Sequence, residues 1–143
     1  MHYKVDTDIG AMEWATTLPR GGGYIRLGPA DSPRTFRLSL FKQLDCLDIM
    51  RQEMLARKAD PSTPATRRAH HCLNYLRQSI TCLSDSHLEM VRSEYGGRAV
   101  LPYTTRTTCK DWGTIWDAVE DNYDEWVTKT KTNDNRTMSF SDL

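Results

Sequence analysis

The stretch RRAHHCLNYLRQSITC, Arg67–Cys82, decides the fold. Ala69, Leu73, Leu76 and Ile80 recur every three or four residues, a helical period that predicts one buried face. Thr63 reads as a cap with Pro64 in the first-turn position, so the helix is expected to run from there to about Leu83. On the other side Arg68, His71, Tyr75 and Cys82 fall within about 60° of one another, with Gln78 and Ser79 at the margins. Two histidines against a cysteine at a helix start admit three readings: a metal site, a catalytic pair, or a polar helix end.

Upstream, a helix is expected from near Arg37 to about Lys58. Leu40, Leu44, Leu47, Met50 and Met54 form its apolar stripe. Lys42, Asp45, Cys46 and Ile49 gather on the opposite side with Phe41, a half-polar surface that suits a cleft wall as well as open solvent. ADPSTPA (59–65) breaks the chain with two prolines. Downstream, KDWGTIWDAVEDNYDEWV (110–127) places Trp112, Trp116, Val119, Tyr123 and Trp126 at offsets of four, three, four and three, a third helical stripe. That stripe reads as core or as an association surface.

Between these helices, YIRLG (24–28) reads as a short strand, PADSPRTF (29–36) as a loop, and EYGGRAVLPYTTRTT (94–108) as a turn leading into extended chain. Residues 1–17 form an N-terminal segment without clear period, 18–128 one domain, and 129–143 a tail expected to be disordered. The fold class is mainly α with a small β component (α+β), two central helices packing with a Trp-rich third.

The chain has 143 residues with 19 Lys plus Arg against 19 Asp plus Glu. It therefore lacks the global field that draws in nucleic acid or an anionic membrane. No apolar run is long enough to span a bilayer. The chain as given reads as soluble, in the cytoplasm or the lumen of the secretory pathway. Cys46, Cys72, Cys82 and Cys109 permit three complete pairings, and the absence of CxxC argues against a zinc ribbon. A sequon at Asn135 says little about compartment.

LPRGGGYIRLGPADSPRTFRLSLFKQLDCLDIMRQEM, HHCLNYLRQSITCLSD and TTCKDWGTIWDAVEDN, in this order, resemble the UstYa-like family of fungal secondary-metabolite (mycotoxin) proteins. The resemblance covers Leu18 to about Trp126. It implies two HxxHC motifs on facing helices, an N-terminal membrane anchor, and oxidative tailoring of natural products at a metal, with copper the usual suspicion. Here the first motif stands as Lys42-Gln43-Leu44-Asp45-Cys46 and the second as Arg68-Ala69-His70-His71-Cys72. Of four presumed ligands only His71 remains. Two cations repel a metal ion, and Asp45 with His71 falls short of the three or four ligands a stable site needs. Cys46 and Cys72 hold equivalent motif positions, so a bridge between them is one open pairing; in a reducing compartment both stay thiols.

The resemblance, taken with these replacements, leads to an expectation without a metal cofactor: a redox-neutral cyclase, pericyclase or isomerase acting on a small-molecule natural product. Asp45 would orient His71, Arg68 and Lys42 would hold a carboxylate, enolate or phenolate, and Tyr75 would donate a hydrogen bond. Tyr24, Arg26, Arg98 and Tyr103 are the expected substrate rim. Two alternatives stand beside it. One is a copper-dependent oxidase that recruits Asp45 and His71 with His87 or His70. The other is a non-catalytic partner in a homo- or heterodimer with a related chain.

Overall fold

Helix α1 (Asp8–Ala15) starts where Thr7, in extended conformation, accepts the amide of Gly10. A hydroxyl in that position satisfies one of the free amides of the first turn. The helix has no apolar stripe, which is why periodicity did not reveal it. Strands β1 (Tyr24–Leu27) and β2 (Arg34–Arg37) pair antiparallel, with Tyr24 opposite Arg37 and Leu27 opposite Arg34. Then follow α2 (Ser39–Ala59), α3 (Arg67–Leu83) and α4 (Trp112–Met138). The computed structural model describes residues 3–29, 31–86 and 110–138. Arg98, Tyr103, His87, Cys109 and the extended segment expected over 94–108 lie outside them.

Among the described residues the chain is mainly helical with one two-stranded sheet, the class expected from sequence. Several boundaries differ. PRTF was read as loop, yet β2 occupies it because β1 offers a pairing edge that a local pattern cannot show. The cap of α3 is Thr66, whose hydroxyl accepts the Ala69 amide, rather than Thr63. At the far end α4 runs on to Met138, into the segment read as a disordered tail. Its start is set by Asp111, whose carboxylate accepts the amides of Gly113 and Thr114.

The expected stripes of α2 and α3 are buried only in part: Met50, Ala69 and Leu76 belong to the core, while other members face solvent. In α2 the apolar residues withdrawn from solvent are Phe41, Cys46 and Ile49, with Arg51 buried beside them, while Leu47 and Met54 are exposed. Leu40, Leu44 and Leu47 border an apolar groove with Tyr3, Trp14 and Trp112. In α3 Ala69 and Cys72 are buried, whereas Leu73 is 57% and Ile80 69% exposed. Cys46 and Cys72 form a disulfide at the centre of the helix pair, with their Cα atoms 5.0 Å apart. The bridge puts Cys72 and its neighbour Tyr75, rather than Leu73 and Ile80, against α2. Met50, Tyr75 and Leu76 pack around the bridge with Ile49.

Helix α4 closes the remaining side. Trp112 and Trp116 meet Phe41 at ring separations of 5.8 and 5.9 Å, and Val119 is buried. Asn122 then acts as a substitute strand: its carbonyl accepts the Arg26 amide at 2.8 Å and its NH2 donates to the Arg26 carbonyl at 3.0 Å. An otherwise open strand edge is thereby satisfied. No helix among the described residues is long and apolar enough to cross a membrane.

Candidate functional site

The seam between α2 and α3 carries the charged side chains. Asp45 sits on α2 one residue before the bridged Cys46, so the disulfide itself sets its height against α3. One carboxylate oxygen accepts from Arg37 Nη1 at 3.0 Å, and the other lies 3.7 Å from Arg68 Nη2. Asp45 and Arg37 are about four-fifths buried, at 22% and 19% exposure, while Arg68 is 70% exposed. The Arg37–Asp45 pair is therefore the structural part of the cluster, and Arg68 reaches it from the solvent side. Lys42, one turn earlier on α2, places its ammonium 4.4 Å from the centre of the Tyr75 ring on α3.

The seam thus brings Lys42, Asp45, Arg68 and Tyr75 together. His71 lies on α3 three residues after Arg68 and four before Tyr75, which puts it on the same helical face. It is solvent-exposed and makes no hydrogen bond or ion pair among the described residues. Asp45 was expected to orient His71; the carboxylate is committed to Arg37 and Arg68 instead.

Arg37 was missed. Its Nε also donates to the Gly22 carbonyl at 3.0 Å, and its guanidinium stacks 4.9 Å over Tyr24, its cross-strand partner. Three contacts fix one guanidinium, and all depend on the hairpin register, which a sequence reading without β2 cannot supply. Tyr24 accordingly serves the seam through Arg37. Arg26 does not reach the seam; it turns toward α4 and stacks on Trp126.

The sequence profile described as "Mycotoxin biosynthesis protein UstYa" matches residues 29–129. The chain belongs to the UstYa family. "Oxidase ustYa" of Aspergillus flavus is 31% identical over 87 residues, covering 59% of this chain and 40% of that protein. "UstYa family oxidase phomYb" of Diaporthe leptostromiformis is 27% identical over 116 residues, covering 72% and 46% respectively. The chain spans less than half the length of these curated relatives. No solved structure matches it.

Set against the UstYa motifs, the donor chemistry of this seam does not fit a metal. Lys42 and Arg68 offer no lone pair as cations, and both motif sulfurs are tied up in the bridge. Among the described residues no three His, Cys, Asp or Glu side chains converge. The chemistry open to the seam is instead anion holding by two cations beside a solvent-accessible imidazole and a phenol.

Proposed function

We propose that this chain is a tailoring enzyme of fungal secondary metabolism that runs a redox-neutral cyclisation or isomerisation at the α2/α3 seam. The observation that carries the reading is the Arg37–Asp45–Arg68 chain of charges. Two of its members, Asp45 and Arg68, stand at motif positions where ligands would stand, and Arg68 reaches the solvent side of the seam. A substrate carbonyl placed there gains stabilisation as it becomes an enolate, because Arg68 and Lys42 are already charged and oriented. His71 takes the proton from the adjacent carbon and returns it at the site where the new bond or double bond settles, so no oxidant enters the balance. Tyr75, held against Lys42, donates to the substrate oxygen. Asp45 is a positioning residue, acting through Arg37 and Arg68.

The second reading follows the word "oxidase" in the names of both relatives. Mass separates the two. The gene is disrupted in its native host, and the accumulating metabolite is compared with the final product. A redox-neutral step predicts an isomer, or a mass difference of one water. Loss of two hydrogens or gain of oxygen across the step means that the chain oxidises, and the reading fails. Complementation with His71→Ala or Arg68→Ala is expected to leave the same intermediate in place.

A further inference from the structure

We propose that the cleft between the β-hairpin and α4 binds a small organic carboxylate, gripped by the guanidinium of Arg26 and the indole face of Trp126. The cleft measures about 270 Å³, and its lining includes Arg26, Pro29, Pro33, Glu125, Trp126 and Lys129. Its residues are not those of the seam, so it stands or falls independently of the reaction assigned there.

The observation that points to a ligand is the state of Arg26. Its backbone is held on both polar groups by Asn122, which fixes where the side chain leaves β1. The guanidinium carbon lies 3.7 Å from the centre of the Trp126 ring. Yet Nη1 is buried and has no hydrogen-bond partner. Other arginines of the fold are used differently: Arg20 meets Glu120 and Asp124, Arg37 meets Asp45, and Arg51 meets Asp48. Arg26 forms no ion pair among the described residues. A guanidinium nitrogen withdrawn from water without a hydrogen-bond partner carries a desolvation cost that stacking on one indole does not offset. A two-oxygen anion matched to the guanidinium fork removes that imbalance.

The surroundings narrow the ligand. Lys129 is already paired to Glu125 at 3.3 Å, so the lining keeps the single uncompensated positive charge of Arg26 and suits a monoanion. Trp126 is 36% exposed, which leaves part of its face open to a second flat group beside the stacked guanidinium. Prolines 29 and 33 form the apolar wall. The volume lies near the lower end of ligand pockets, room for a single-ring acid or for the acidic end of a larger molecule.

The test uses the isotope-labelled full chain and two isosteric probes, phenylacetate and phenylacetamide, at constant ionic strength. The Trp126 indole N–H signal, assigned by its loss in Trp126→Phe, is expected to shift saturably with phenylacetate. Phenylacetamide is expected to bind at least about tenfold more weakly, since it lacks the charge the guanidinium selects. Arg26→Gln should lose a similar factor, Arg26→Lys part of it, and His71→Ala none. Should Arg26→Gln fail to fold by circular dichroism, the amide comparison on the unmodified chain decides alone. Equal shifts with acid and amide, undiminished binding by a folded Arg26→Gln, or no saturable shift with phenylacetate would each overturn the proposal. Displacement of phenylacetate by equimolar inorganic phosphate would overturn the carboxylate assignment.

Discussion

At Gly23 the backbone sits at φ +77, and a Cβ built there would lie 2.3 Å from the Cβ of Phe41. Both facts exclude a side chain: left-handed backbone is strained for other residues, and Phe41 is the fully buried anchor that meets Trp112 and Trp116. Gly23→Ala is therefore expected to lose more than about 2 kcal/mol in urea denaturation, through strain and displacement of a core ring together. Asp45 poses the opposite case, a residue whose importance is electrical. Asp45→Asn keeps the shape but leaves the largely buried Arg37 without its counter-charge. A loss of about 1–3 kcal/mol is expected. Arg68→Ala, at the exposed end of the same chain of charges, should cost no more than about 1 kcal/mol in stability. Equal losses from the two variants would mean that the charges do not divide into a structural pair and a free arm.

The helix pair α2/α3 is held at two heights. In its middle the Cys46–Cys72 bridge closes a loop with a sequence separation of 26. The chain-entropy relation for a loop of that length gives about 3.5 kcal/mol. Reduction by dithiothreitol should lower stability by that order in chemical denaturation, and a null effect would show that packing alone sets the pair. Toward the loop end, Glu53 of α2 accepts both the hydroxyl and the amide of Thr66, the cap of α3. The Thr66 hydroxyl holds the Glu53 carboxyl below the usual carboxylate range. A depressed acid contributes stability that is fully present above its unfolded pKa and lost as pH falls through the lower folded value. The acid limb of the unfolding midpoint against pH should thus flatten in Glu53→Gln. An unchanged limb would assign acid sensitivity to other carboxylates.

At the scale of the molecule, few apolar side chains of the described residues are withdrawn from solvent. Among the described residues they are Phe41, Cys46, Ile49, Ala69, Cys72 and Val119. So small a core leaves polar staples to set the arrangement of parts. Arg20 ties the glycine loop to Glu120 and Asp124 of α4, and Arg51 crosses from α2 to the Val5 carbonyl near the N-terminus. Asn122 joins α4 to the hairpin. Asn122→Ala leaves two backbone groups of Arg26 without partners at once, and a loss of about 1–3 kcal/mol is expected by thermal or chemical denaturation. The same variant should weaken phenylacetate binding in the neighbouring cleft. Stability lost without any effect on binding would separate the staple from the site.

Local spacing alone determined that three segments are helices and that YIRLG is a strand, because a repeat of three to four or of two residues is written into successive positions. Helical spacing grouped Lys42 with Asp45 and Arg68 with His71 and Tyr75, and the family resemblance, through the altered HxxHC spelling, set Lys42, Asp45, Arg68 and His71 at motif positions. Which face of each helix is buried was decided by the tertiary structure. Leu40, Leu44 and Leu47 make as good a stripe as the face that is used, and the contacts that select between them, the Cys46–Cys72 bond and the packing of Phe41 on Trp112 and Trp116, join residues far apart in sequence. The same holds for Arg37 and Asn122. A cross-strand register and a side chain that completes another element's hydrogen bonds are relations between distant segments, and no local period encodes them.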